Sequence, residues 1–237
     1  MERYTQQAAI HQINQWARTR EPFFFVINFD CTLTLLTPLA KWDPRRLQFH
    51  FPKVERVATN PQEQIEALYW RSTPPSYTIY QNAFNHLQAQ MSRGRSALTN
   101  LTFPTPVESN YTLEALFHKS AARYRILVTT DEIRFLSFSP EPFIKIEGNY
   151  LYTYPMKGTI DATLPHAQQK LLENPKEQEE HHFATTQAKI DLAKVGSDVS
   201  ITRYRYIERL NTNKAPILQS SSEVRATLPP SYRDHLG

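Results

Sequence analysis

Apolar residues run in short blocks, or alternate with polar ones, along most of the chain, and this pattern predicts more strand than helix. FFFVINFDCTLTLLTPL at 23–39 predicts two strands that meet near Asp30, and LQFHF at 47–51 predicts a third. RYRILVTT at 123–130, EIRFLSF at 132–138, FIKIEG at 143–148 and YLYTYP at 150–155 predict four successive strands, with Glu147-Gly148-Asn149 as a tight hairpin turn. SITRYRYI at 200–207 predicts another, with Arg203, Arg205 and Ile207 on one face and Tyr204 and Tyr206 on the other. ALTNLTFPT at 97–105 also reads as a strand, closed by Pro104 and Pro106. A last short strand is expected near 216–220, followed by a polar tail.

Helical spacing is clearest at 77–92. Tyr77, Tyr80, Phe84, Leu87 and Met91 recur at one helical face, and Gly94 is placed to stop the helix. The aromatic stripe reads as core packing rather than as a ligand box. Residues 5–18 predict a helix with Ile10, Ile13 and Trp16 on one face, ended by Pro22. Residues 111–119 and 163–173 predict shorter helices. A further helix at 176–194 begins near Pro175, with Glu177, Glu179 and Glu180 in its first turn, where carboxylates suit the helix dipole. Residues 52–76 read as a long connection or an irregular helix. The strands form a meander rather than a β-α-β alternation, so the α+β class is expected. No repeat and no linker divides the chain, and 1–237 reads as one domain.

Composition narrows the function classes. A chain of 237 residues buries a sizeable core. The net charge of +4 is small and its basic residues are scattered, so no nucleic-acid partner is expected. One cysteine, Cys31, cannot form an intrachain disulfide, which favours a reducing compartment. No stretch has the apolar length of a membrane span, and the N-terminus lacks the apolar core of a signal peptide. A cytoplasmic protein with no membrane partner is expected, and the sequons at Asn100 and Asn110 read as chance matches. Only five glycines occur and no Gly-rich loop, which argues against phosphate-cradling and dinucleotide-binding turns.

Candidate chemistry gathers around 133–161, where Ser139-Pro140-Glu141 and Pro155-Met156-Lys157-Gly158-Thr159 break the alternation. Lys157 becomes a nucleophile or base if apolar surroundings keep its amine neutral. Its plain structural reading is a surface lysine in a loop. Glu141, if buried, can donate a proton to a leaving group. Its plain reading is a turn glutamate. Glu177 and Glu180 share a helix face, and their hard oxygens suit magnesium. Their plain reading is a solvated helix start. His181 and His182 point apart and make a poor zinc pair.

Taken in order, these motifs resemble the chorismate-utilising enzymes, and most closely the aminodeoxychorismate synthase component I (para-aminobenzoate synthase component I) branch. The matching stretches are GRSALTNLTFPTP at 94–106, FLSFSPEPF at 135–143, YPMKGTID at 154–161 and KEQEEHH at 176–182. They lie in 77–228, the recognisable family core; 1–76 is a divergent N-terminal part. The resemblance implies two packed antiparallel sheets with flanking helices. It implies amination of chorismate at C4 to 4-amino-4-deoxychorismate, a step toward para-aminobenzoate and folate. Lys157 would attack chorismate covalently, Glu141 would lie near the reacting carbons, and Gly158 and Thr159 would line the substrate pocket. Glu177 would match a catalytic glutamate and Glu180 a ligand of Mg2+. Ammonia would come from a separate glutaminase subunit. Alanine in place of Lys157 would instead mark an anthranilate synthase.

The sequence also departs from the family pattern. The helix after Glu180 reads Thr185-Thr186-Gln187-Ala188-Lys189-Ile190-Asp191-Leu192 where the family has I-V-D-L-x-R-N-D-L. Gln219-Ser220-Ser221-Ser222 stands where the family has His-x-x-Ser, and Ala226 where it has glycine. The chain ends at Gly237, before the family's Gly-rich segment, second magnesium glutamate and carboxylate-gripping arginine. Two expectations follow beside the anthranilate alternative. One is an aminating enzyme; the other is a truncated remnant that is inert or only docks on a glutaminase.

Overall fold

The computed structural model describes residues 1–59, 66–96, 99–139, 141–212 and 214–237. Two compact units appear, one of Met1–Ala58 with Ala121–Gly237 and one of Thr59–Ser120.

The larger unit starts with β1 (Glu2–Tyr4), α1 (Gln6–Thr19), β2 (Phe23–Ile27) and β3 (Thr34–Pro38). The strands form an antiparallel sheet in the order β1-β3-β2. The Thr5 hydroxyl accepts the Ala8 N–H and starts α1; Arg20, in the left-handed region at φ 56°, ends it. Ala9, Ile13 and Ala17 are the buried residues of this helix, and Ala9 and Ile13 pack on Leu36. Ile10 is 40% exposed, so the buried face is centred one position away from the Ile10-Ile13-Trp16 stripe. Alanine buries by proximity to the sheet, a signal too weak to outrank isoleucine in the sequence.

β4 (Leu47–Phe51) and β5 (Val54–Arg56) follow. In the second unit come β6 (Trp70–Ser72), α2 (Tyr77–Ser92), β7 (Val107–Ser109) and α3 (Leu113–Lys119). β5 and β6 are strands inside the stretch read as a connection. β6 pairs with β7. No residue of α2 is buried, and Tyr77 is 75% exposed. The aromatic stripe is therefore not core packing; its rings stack on one another, with Tyr80 6.0 Å from Phe84 and 6.3 Å from Phe103. Residues 99–106 are irregular rather than a strand, since Pro104 and Pro106 offer no N–H to a ladder. Ala97 and Leu98 of that expected strand lie outside the described residues.

β8 (Tyr124–Thr129) and β9 (Arg134–Ser139) return to the larger unit and join a four-stranded antiparallel sheet, β5-β4-β8-β9. Phe24, Leu47, Phe49 and Val128 form the core between it and the first sheet, with the Phe24 and Phe49 rings stacked at 5.2 Å. β10 (Ile144–Glu147), β11 (Tyr150–Thr153), β12 (Met156–Asp161), α4 (Ala167–Glu173), α5 (Pro175–Ala193), β13 (Ser197–Leu210) and β14 (Ile217–Thr227) complete the chain. The expected single meander thus divides at the Ser139–Glu141 corner: β8 and β9 belong to one sheet, β10 and β11 to another. Pro140 of that corner lies outside the described residues.

β14 organises the last sheet. It pairs with β11 and β12 in tandem and with β13 along its length. Val224, Ala226 and Leu228 pack with Leu151 against Leu192 of α5. The expected short strand with a polar tail is therefore a buried central strand of 11 residues. No helix among the described residues is long and apolar enough to cross a membrane.

Candidate active site

β12 carries the P-x-K-G-T motif inside a strand, not at a sheet end. Its pairing to β14 slips between Met156↔Ser221 and Thr159↔Gln219. Lys157 and Gly158 thus oppose the single residue Ser220, a β-bulge of the kind that re-aims side chains. Gly158 sits at φ +85°, and a Cβ there would lie 2.7 Å from Glu177 Oε2 and 3.0 Å from Leu171 Cδ1. Glycine is needed at this point for both reasons. Glu177 is brought there by the start of α5: Asn174 Oδ1 accepts the Glu177 N–H at 3.2 Å, and Pro175 occupies the first turn. Lys157 is half-buried and makes no ion pair among the described residues. Thr159 is exposed.

A buried polar clamp pins this bulge. His181 of α5 is fully buried, and its Nε2 lies 2.7 Å from Ser222 Oγ. Ser222 Oγ also accepts the Arg205 N–H at 2.9 Å, and the Ser222 N–H donates to the Pro155 carbonyl at 2.9 Å. One serine thereby ties the entry of β12 to β13 and α5. Burial pushes the His181 imidazole below its ordinary value; the Lys157 backbone carbonyl opposes this, and the Arg205 charge adds to it. His182 is exposed, so the adjacent histidines do point apart. Arg205, at φ 48°, donates to the Leu172 and Leu171 carbonyls at the end of α4. This break in β13 interrupts the face alternation expected for Arg203, Arg205 and Ile207.

Successive residues of a strand face opposite sides of the sheet. Ser222 faces α5, so Ser221 faces away. Ser221 Oγ donates to Glu208 Oε2 at 2.9 Å, Gln219 Nε2 donates to Ser221 Oγ at 3.4 Å, and Arg123 lies 3.9 Å from Glu208. Burial, aided by the Glu208 charge, pushes the Glu141 carboxyl up to about 7. Its Oε2 is buried and has no hydrogen-bond partner among the described residues.

The sequence-predicted residues therefore fall into two groups. Lys157 and Gly158 form the bulge with Glu177 beside it, while Glu141, in the turn after β9 with its Oε2 buried, lies within reach of the Glu208 charge. Glu180 is one turn along α5 and 3.5 Å from Lys176 Nζ. Among the described residues, no three metal-ligating side chains converge. Magnesium takes a near-octahedral oxygen shell, and Glu177 against the bulge with Glu180 beside Lys176 does not supply a site that fits it. Glu208, Ser221 and the His181–Ser222 pair were not singled out as site residues. The available signal was the polar run Gln219–Ser222 between Ile217-Leu218 and Val224, where an apolar central strand would be unbroken.

Residues 40–235 match the chorismate binding enzyme family. The chain belongs to this family. An uncharacterised PabA-like protein of Pasteurella multocida is 39% identical over 230 residues, which cover 97% of this chain and 70% of that protein. The solved 2,3-dihydroxybenzoate-specific isochorismate synthase of Bacillus anthracis superposes with a TM-score of 0.68 at 16% identity, over 96% of this chain. Anthranilate synthase component I of Streptococcus pneumoniae gives 0.50 at 16% identity, over 74% of this chain. The chain spans 62% of the first structure and 40% of the second. The chorismate binding enzyme fold, antiparallel sheets with flanking helices, is the α+β class that the sequence implied.

Proposed function

We propose that this chorismate binding enzyme is of the aminodeoxychorismate synthase component I type and aminates chorismate at C4. The observation that carries the reading is Lys157: an amine without an ion-pair partner among the described residues, in a bulge where Glu177 Oε2 leaves no room for a Cβ on Gly158. In the neutral state the Lys157 amine forms a C–N bond to the substrate ring as the C4–O bond breaks. Glu141 supplies the proton with which the hydroxyl departs as water, and is left as a carboxylate. Ammonia then forms the second C–N bond, and Lys157 leaves as a free amine. Gly158 and Thr159 border the substrate, and Glu177 holds it beside the bulge. A glutaminase subunit is the proposed ammonia source in the cytoplasm. The carboxylates present do not complete a magnesium site, so no step is routed through the metal.

The test is incubation of the chain with chorismate, magnesium and ammonium, followed by mass spectrometry of small molecules and of the protein. Expected are 4-amino-4-deoxychorismate and a covalent adduct on Lys157, both lost in Lys157→Ala. Anthranilate as product, or turnover that survives Lys157→Ala, refutes the assignment. A second reading is a non-catalytic chain that docks on a glutaminase. It predicts a folded sample without turnover that co-purifies with a glutaminase.

A further inference from the structure

The side of β14 that faces α5 changes character where it meets the bulge. Val224 and Ala226 are apolar and pack with Leu192, but Ser222 and Ser220, the next positions on that side, are polar, and both are fully buried. Ser222 joins the surrounding elements. Its N–H donates to the Pro155 carbonyl at 2.9 Å, two residues ahead of Lys157. Its Oγ accepts the Arg205 N–H at 2.9 Å, and the Arg205 guanidinium donates to the Leu172 and Leu171 carbonyls of α4. The same Oγ lies 2.7 Å from Nε2 of His181, one turn beyond Glu177 on α5. Leu171 and Glu177 are the side chains that close on Gly158. Each wall of the bulge, from β12, α4 and α5, thus connects to one serine.

A hydroxyl has a single hydrogen to donate. Ser222 Oγ accepts from Arg205, and its only other partner among the described residues is His181 Nε2. The hydroxyl hydrogen therefore goes to Nε2, and the neutral imidazole carries its own proton on Nδ1. Nδ1 is buried and makes no hydrogen bond of good geometry among the described residues, although the Lys157 carbonyl favours a proton on this ring. The short Ser222 contact is thus the anchor of the ring. We propose that Ser222 is a positioning residue that acts through Lys157: donating to His181 and accepting from Arg205, it holds β12 against α4 and α5 and so fixes where the Lys157 amine projects. Use of that amine in catalysis rests on the amination reading; the joint itself does not.

Trace acetylation of the folded full chain by acetic anhydride, read at each lysine by peptide mass spectrometry, separates the two. In Ser222→Ala, labelling of the half-buried Lys157 relative to the exposed Lys189 of α5 should rise about five-fold, the factor that one lost hydrogen bond is worth. Ser220→Ala is the control. It removes from the same side of β14 a buried hydroxyl that has no partner among the described residues, and Lys157 should label as in the wild type. Unchanged labelling in folded Ser222→Ala, or an equal rise in both variants, overturns the proposal. Should Ser222→Ala fail to fold, the wild-type chain carries the test: two-bond proton–nitrogen NMR at pH 8 should show His181 as the Nδ1–H tautomer, and the Nε2–H tautomer overturns it. In an active sample Ser222→Ala lowers kcat by roughly 10- to 100-fold with KM within about two-fold, the pattern of a misaimed nucleophile rather than of lost binding, and an unchanged kcat overturns the proposal. The expected rise in labelling with no aminated product from the wild type counts against the amination reading and leaves the joint standing.

Discussion

Gly158→Ala tests whether the bulge and α5 are as closely fitted as the geometry requires. At φ +85° an alanine pays the left-handed backbone penalty, roughly 1–2 kcal/mol. The new methyl also meets two side chains. Glu177 Oε2, 2.7 Å away, is the end of a flexible chain and can swing aside, taking the carboxylate out of the site. Leu171 Cδ1, 3.0 Å away, belongs to a side chain only 2% exposed and has little room. Overpacking of this kind costs roughly 1–3 kcal/mol. The total is about 2–5 kcal/mol. Gly148→Ala is the control, because φ is +64° there and nothing lies within 4 Å of the added Cβ. It should cost only the backbone part, about 1–2 kcal/mol. Guanidinium unfolding followed by circular dichroism gives both values. If Gly158→Ala comes within about 0.5 kcal/mol of Gly148→Ala, the contact of the bulge with Glu177 and Leu171 is not as described.

Two further predictions concern pH and have opposite signs. Glu141 holds its proton up to about 7 in the folded chain against an ordinary 4.5, so its destabilising cost is absent below pH 4.5, grows to pH 7 and then levels off. After a discount for partial exposure the cost is about 1–2 kcal/mol, and Glu141→Gln should recover it at pH 8 while flattening the slope between pH 4.5 and 7. Parallel wild-type and variant curves would contradict this. His181 has its folded value lowered from 6.5, so its contribution is complete above pH 6.5 and is lost as pH falls below it. His181→Ala should remove that acid-side slope and lower stability at pH 8 by roughly 2–4 kcal/mol, through a cavity and an unpaired Ser222 hydroxyl. Thermal unfolding at pH 8 and pH 5.5 reads both effects, and a variant that keeps the full wild-type slope would count against a buried neutral imidazole.

The sequence by itself determined the α+β class, most strand positions and the family, because these rest on local patterns. Alternation in LQFHF and YLYTYP, the start of α5 near Pro175, and Lys157-Gly158 within P-x-K-G-T are each read over a few residues. Pairing was decided only by the tertiary structure. Whether β9 continues into β10 or turns to another sheet depends on where their neighbours β8 and β11 dock, on β4 and on β14, far along the chain. The expected strand near 216–220 stopped short of Ser221 and Ser222 because burial of hydroxyls is favourable only with partners, and those partners sit on α5 and β13. Glu208 has the same history. Nothing around it in sequence marks it, and its partners Ser221 and Arg123 come from other parts of the chain.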